Sequence, residues 1–285
     1  MSTFHNPEWL SGYDYSYDNI DCIPENLYSS INQKLDILSS ETPEVSIIIA
    51  AWNEEEKLLA AISSLADNKT NVPVEIIVVN NNSTDRTQEV IDKLHVKTFM
   101  QPIQGCGPAR QLGLEKARGK YILTADADCI YPEKWIDKMI YQLKKPGVIC
   151  VYGRYSFIAN KKTSRFKLFF YEKIKDVMAD IRHYKRPHMN SVGLSMGFIT
   201  EYALKTGFVM REIRGEDGRM CFDLMKYGKV TQIKNNNLRV WTGTRTLDKD
   251  GTIFKALKVR VVKELKRASD YIKLHPQHDT KTSRN

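Results

Sequence analysis

The sequence predicts an α/β protein with a mostly parallel central sheet flanked by helices, and with helical appendages at both ends. Three observations carry this. From Glu44 onward, strand-length apolar runs alternate with amphipathic helix-length segments, the order that gives parallel strands joined by right-handed crossovers. The run Val45 to Ala51 is continuous and β-branched, which suits a central strand buried on both faces. The run Tyr121 to Ala125 ends on Asp126-Ala127-Asp128, placing two carboxylates where an open α/β sheet presents its chemistry.

A chain of 285 residues with 42% hydrophobic content is long enough for one large α/β domain with appendages. Residues 1–44 are an acidic extension in which Ile23, Leu27, Ile31, Leu35 and Leu38 recur at helical spacing, so a helix over 24–38 is expected to dock on the body. The body is expected to span 45–246. After Val45–Ala51, Glu55–Ala66 sets Leu58, Leu59, Ile62 and Leu65 on one helical face, and Val74–Asn80 repeats the strand pattern. Asp85 and Gln88 are spaced as a capping box for a helix carrying Val90, Ile91 and Leu94. Val96–Phe99 reads as a short strand, Pro108–Ala117 as a helix, and Pro132 as the opening of a helix that runs through Leu143. In the second half, Val148–Tyr152 is a strand, Phe166–Tyr184 an amphipathic helix and Thr200–Thr206 a short helix. Gly215-Glu216-Asp217 opens a further helix that Gly228 stops. Over 247–274, Ile253, Phe254, Leu257, Val261, Leu265 and Ile272 form an apolar stripe among lysines, either a helix packed on the domain or a basic amphipathic helix on an anionic membrane. Residues 275–285 read as a disordered tail.

The net charge of +9 conceals an asymmetry: residues 1–44 hold eight acidic residues and one basic one, leaving 42 basic against 26 acidic residues on the remainder. A basic body suits a diphosphate ligand or an anionic lipid surface. Zinc-finger spacing, stacked-aromatic RNA motifs and helix-turn-helix signals are all missing, so nucleic acid is not an expected partner. No apolar run approaches the roughly 20 residues of a spanning helix, and the acidic, aromatic N-terminus matches neither a secretory signal nor a transit peptide. The expected location is the cytoplasm, with peripheral contact at the inner face of the membrane through 253–274 as the functional reading of that stripe. The five cysteines, widely spaced and without a Cys-X-X-Cys pair, are expected to be buried reduced thiols.

Two strand-end carboxylates suggest a divalent cation, and hard oxygen donors favour Mn²⁺ or Mg²⁺. Around Asp126-Ala127-Asp128 the chain carries Trp52-Asn53-Glu54, Asn80-Asn81-Asn82-Ser83-Thr84-Asp85, Gly107-Pro108-Ala109-Arg110-Gln111-Leu112-Gly113 and Glu216-Asp217. With these motifs in this order, the stretch from Val45 to Arg245 resembles the family 2 glycosyltransferases, nucleotide-sugar-dependent inverting enzymes on the Rossmann-like GT-A fold.

That resemblance implies roles. Asp128 is expected to touch the metal and Asp126 both donor and metal, with Ala127 between them on the donor. Ala50 is expected to offer a backbone contact, Trp52 a stacking surface for the nucleobase, and Asn53 and Glu54 polar contacts to base or ribose. Asn81 stands where many relatives carry an aspartate that reads the base. Arg110 is expected either to assist phosphate binding or to pair with a strand-end carboxylate such as Asp126. Asp217, with Glu216, occupies the place of the catalytic base. Gly193 and Ser195 are expected near the donor sugar, Trp241 near the acceptor, and Arg245 on a late loop that holds the diphosphate. For some of these a purely structural role is the alternative: solvated turn aspartates for Asp126 and Asp128, core packing for Trp52, turn formation for Asn53, helix N-terminus stabilisation for Glu216 and Asp217; Asp85 reads as a helix cap and not a ligand.

The chain departs from the family at Ala51, where proline is usual, and at Gln111, where asparagine is. Trp241-Thr242-Gly243-Thr244-Arg245 replaces the Gln-X-X-Arg-Trp of processive synthases, which favours single addition. The expected activity is transfer of one sugar from a UDP- or GDP-sugar to a glycan or lipid-linked acceptor in surface-polysaccharide or glycoconjugate synthesis. A sugar nucleotidyltransferase, which would carry a Gly-rich Arg/Lys signature after the first strand, and a non-catalytic nucleotide-sugar-binding protein are the competing readings.

Overall fold

The computed structural model describes residues 4–15, 17–211 and 215–245, together with Leu247 and Val262. The expected helix over 247–274 and the tail 275–285 therefore lie, but for these two positions, outside the described residues.

Ten strands and eight α-helices occur in the described residues. They are β1 (Val45–Ala51), α2 (Leu58–Ala66), β2 (Val74–Asn80), α3 (Thr87–Asp92), β3 (Lys97–Met100), α4 (Cys106–Lys116), β4 (Tyr121–Asp126), β5 (Cys129–Ile130), α5 (Trp135–Leu143), β6 (Val148–Tyr152), β7 (Tyr155–Phe157), α6 (Arg165–Lys185), β8 (Met196–Ile199), α7 (Thr200–Thr206), α8 (Glu216–Leu224), β9 (Lys229–Gln232) and β10 (Val240–Thr242), preceded by α1 (Glu25–Leu38). The main sheet has the order β3-β2-β1-β4-β8-β6-β9, and β8 alone of these runs antiparallel to its neighbours.

Strand alternation divides the core in two. Ile47, Ile49 and Ala51 pack on the side of α2 and α5, while Ile48 joins Leu114, Ile122 and Phe198 on the other face. Complete burial of such a side chain contributes about 1.5–3 kcal/mol, so the sheet's β-branched strands anchor the body. The parallel register sets Ala50 beside Asp126 and Ala51 beside Asn80, which brings the C-terminal ends of β1, β2 and β4 to one edge.

A second sheet of order β5-β10-β7 continues from that edge. β10 pairs antiparallel with β5, setting Thr242 opposite Cys129, so the chain three residues beyond β10 arrives next to Asp128. This pairing is what returns Arg245 to the strand-end carboxylates.

The N-terminal extension packs across the body. Tyr28, Ile31, Leu35 and Leu38 of α1 are buried in the main core, and its acids meet body cations in the pairs Asp21–Arg86 and Glu25–Lys93. A cavity of roughly 340 Å³ opens between Tyr15, Tyr17 and Asn19 of the extension and Glu55, Lys57 and Arg86 of the body.

Several local expectations are corrected. The α2 helix starts at Leu58 and α5 at Trp135, because the preceding residues form turns; Trp135 N–H donates to the Pro132 carbonyl at 2.9 Å. The capping box at α3 is half made: Asp85 accepts from Thr87 N–H at 3.0 Å, but the Gln88 side chain turns to Asn80 and Asp92. Gly228 does follow α8 and its 3₁₀ extension, yet in an extended conformation; glycine is needed because a Cβ would meet the Gly147 carbonyl oxygen at 2.7 Å. Of the cysteines, Cys129, Cys150 and Cys221 are buried, while Cys22 and Cys106 are exposed. The amphipathic helix expected over Phe166–Tyr184 is present as α6, and the structure decides which way its faces point. Arg165, Glu172 and Asp176 face the interior beside Leu168 and Tyr171, and the regular row of large apolar side chains faces outward.

Candidate active site

The site is built where β1, β2 and β4 end. Asp126 is the last residue of β4; its backbone N–H donates to the Tyr131 hydroxyl at 2.8 Å, and that hydroxyl in turn donates to the Leu194 carbonyl at 3.2 Å. The buried Tyr131 thereby ties the carboxylate turn to the loop that carries Gly193. It was not singled out from sequence, since a tyrosine after a strand-end motif carries no signal until the fold closes around it.

Arg110 lies at the centre. From the first half of α4 its buried guanidinium donates through Nη2 to Asp126 at 2.8 Å, and through Nη1 to Glu216 at 2.7 Å and to Asp217. Asp217 completes its contacts by accepting the Gly193 N–H at 2.8 Å. A side chain on Gly193 would overlap the Arg110 guanidinium, so glycine there is a condition for the cluster. Three carboxylates around one buried arginine leave excess negative charge. Burial, opposed by Arg110 and reinforced by the neighbouring acids, pushes Asp126 up to about 7, and burial together with Asp217 raises Glu216.

Asp126, Asp128 and Cys129 bring potential metal-donor atoms within 4.8 Å of one another. Burial pushes the Cys129 thiol up, and of the three donors the two carboxylates are the hard oxygen ligands. Such oxygens fit Mn²⁺ or Mg²⁺. Arg245 crosses the mouth of this set, donating through Nη2 to Asp128 at 3.0 Å and to Glu54 at 2.6 Å.

The other expected residues divide into two groups. Trp52 projects from the end of β1 with 54% of its surface exposed, available for stacking. Ala50 and Ala127 flank the same edge. The remaining side chains are turned to structural tasks. Asn53, at a left-handed φ of 53°, accepts Thr84 N–H at 2.8 Å and so clamps the loop after β2. Asn81 donates to the carbonyls of Gln101 and Ile103 and accepts Gly105 N–H at 2.7 Å, which leaves no amide hydrogen for a base. The Ser195 hydroxyl accepts from the Trp135 indole at 2.9 Å inside the core. Trp241 is buried in β10 under the Arg165 guanidinium, 5.0 Å from its ring centre. Both terminal nitrogens of the buried Arg110 guanidinium are engaged by carboxylates, the pairing with Asp126 being one of its two expected roles. Asp85 caps the loop before α3 as expected, and His183 bonds the Tyr152 hydroxyl at 2.7 Å.

This architecture and edge are those of a GT-A fold, and the sequence profile of glycosyl transferase family 2 matches residues 46–201. The chain belongs to glycosyl transferase family 2. It is 32% identical over 121 residues to an uncharacterized glycosyltransferase of Haemophilus influenzae, covering 40% of this chain and 48% of that one. It is 31% identical over 115 residues to WfaP of Escherichia coli, a UDP-Glc:alpha-D-GlcNAc-diphosphoundecaprenol beta-1,3-glucosyltransferase, covering 39% of this chain and 45% of that one. The chain thus spans about half the length of these curated relatives. Among solved structures, the mannosyltransferase PcManGT of Pyrobaculum calidifontis in complex with GDP-Man and Mn²⁺ superposes with a TM-score of 0.54 at 14% identity, over 77% of this chain and 68% of that one. No helix among the described residues is long and apolar enough to cross a membrane.

Proposed function

We propose that the protein is an inverting glycosyltransferase that adds one sugar from a nucleotide diphosphate sugar to a glycan or lipid-linked acceptor. The observation that carries this is the Arg110 cluster, in which one buried side chain holds Asp126 of the β4 edge and Glu216-Asp217 of α8 together, although the latter two lie more than a hundred residues from Arg110 in sequence. Metal-side and base-side carboxylates then belong to one site.

Asp217 accepts the proton of the acceptor hydroxyl as its oxygen bonds to the anomeric carbon. The bond from that carbon to the diphosphate breaks on the opposite face, and its electron pair leaves with the nucleotide. Arg110 and the Gly193 N–H hold the Asp217 carboxylate in place for this. Trp52 offers its exposed face to the base. Asp126 and Asp128 would hold the dication, which would supply charge neutralisation for a departing diphosphate. Arg245 moves from Asp128 and Glu54 to the diphosphate as donor enters. The E. coli relative, named for a UDP-sugar and a lipid-linked acceptor, supports a polyprenyl-linked glycan in surface-polysaccharide synthesis; the GDP-Man complex keeps both UDP- and GDP-sugars in play. Family membership favours transfer over the nucleotidyltransferase reading.

The test is a thermal-shift panel of UDP-, GDP- and dTDP-sugars with Mn²⁺ or with EDTA, on the native protein and on Asp128→Ala. Stabilisation by one nucleotide class that needs both the metal and Asp128 is expected; stabilisation indifferent to both would remove the metal assignment.

Arg245→Ala gives a second check with opposite signs for two ligands. Removing a half-exposed cation that competes at Asp128 is expected to tighten Mn²⁺ binding without nucleotide by about 2–5-fold, the scale of an exposed ion pair, while weakening nucleotide diphosphate binding. Calorimetric titration of each ligand would show it, and weaker Mn²⁺ binding in the variant would contradict the displacement.

A further inference from the structure

The outward face of α6 is the feature that the proposed reaction does not use. Phe166, Phe170, Ile174, Val177, Ile181 and Tyr184 recur three or four residues apart and are 39–83% exposed. At 100° per residue they fall within an arc of about 80°, along a helix about 30 Å long. Phe4, itself exposed, stacks on Phe166 at 5.7 Å and extends the strip beyond the helix start. A soluble surface rarely presents so continuous an apolar patch without something to cover it.

Charge on the same helix selects the cover. All three acids of α6 turn to the body, where Arg165 holds Glu172, Arg239 holds Asp176 and Arg154 holds Asp180. Exposed Lys167 and Lys173 border the apolar strip on its two sides, and exposed Lys161 and Lys162 precede the helix. An apolar stripe edged by lysines, with its acids withdrawn, complements a surface that is negative at its headgroups and apolar just beneath. The same charges disfavour a second copy's α6 and the equally lysine-rich segment 253–274 as covers.

We propose that α6 lies in the interface of an anionic phospholipid bilayer, with its apolar row inserted and Lys167 and Lys173 on the headgroups. The helix is thus a peripheral membrane-docking surface in the described body, separate from the 253–274 stripe. The inference does not depend on the reaction proposed above, and its test reads no activity.

Co-sedimentation of the full chain with vesicles of equimolar phosphatidylglycerol and phosphatidylcholine is compared with pure phosphatidylcholine vesicles. Binding to the anionic vesicles alone is expected, falling with salt. Ile174→Glu/Val177→Glu and, independently, Lys167→Glu/Lys173→Glu are expected to lower partitioning about tenfold or more. Ile37→Glu, at an 86% exposed position on α1, is expected to bind as the native chain does. All these positions are exposed, so unchanged melting curves would report intact folding. The proposal is overturned if the native chain ignores anionic vesicles, or if both α6 variants bind as well as the native chain. It is equally overturned if sedimentation velocity shows a dimer that Ile174→Glu/Val177→Glu dissolves while the native chain does not bind vesicles.

Discussion

Asp217→Asn is expected to lower turnover by about 10²–10⁴-fold, the usual contribution of a positioned general base, with nucleotide-sugar affinity preserved. The side chain is nearly isosteric, and its amide oxygen can still accept the Gly193 N–H. Arg110 keeps Asp126 and Glu216 as anionic partners, so the cluster loses one charge and not its balance. What disappears is the capacity to take a proton. Glu216→Gln should cost much less, because the Glu216 carboxyl is turned to Arg110 and to the backbone N–H groups at the start of α8, while the Gly193 N–H aims Asp217. Single-turnover measurement of nucleotide release, with donor affinity measured separately, distinguishes chemistry from binding. Native-like turnover in Asp217→Asn would assign the base elsewhere.

Arg110→Met is expected to give the largest loss of stability, about 3–5 kcal/mol, because it strands three carboxylates in the interior instead of removing an ion pair as a unit. In a chain of this size that is a fall in Tm on the order of 10 °C. The pH dependence has a definite sign. Burial already holds Asp126 and Glu216 above their ordinary values against the pull of Arg110. Without the arginine both rise further. An acid whose value is raised by folding favours the folded state at low pH and loses that contribution as pH climbs from its unfolded value, about 4, toward its folded one. The deficit of the variant is therefore smallest near pH 4 and grows toward neutrality. Arg110→Lys, which keeps the charge but not the fork, should fall between. Calorimetric melting from pH 4 to 8 checks this; a deficit independent of pH would show that the arginine acts through packing and not charge.

Much of this molecule is legible in its local sequence, because strand and helix periods are local properties. Val45–Ala51 and Val74–Asn80 are strands in the structure at the predicted bounds, and the run ending at Asp126 delivers its carboxylates to the sheet edge. Glu216-Asp217 opens α8, and Thr200–Thr206 and Val148–Tyr152 also keep their expected limits. Errors at helix starts such as Leu58 and Trp135 came from turns whose hydrogen bonds compete with a first helical turn.

The destination of side chains was decided by tertiary structure alone. A hydroxyl, amide or indole gives no local sign of where its partner lies, so Ser195, Asn81 and Trp241 could be read as contacts to ligand until Trp135, the 101–105 loop and Arg165 closed on them. Arg110 could be read as a phosphate ligand until the fold set it against Asp126, Glu216 and Asp217. The same limit explains α6: a 3.6-residue period establishes that a helix has an apolar and a polar side, but not which side meets the body. Here Arg154 and Arg239 draw Asp176 inward, and the apolar row is left to the outside. Sequence determined the sheet, its reactive edge and the family of motifs along it. Tertiary structure chose the partners, because burial of charge is settled by residues far apart in the chain.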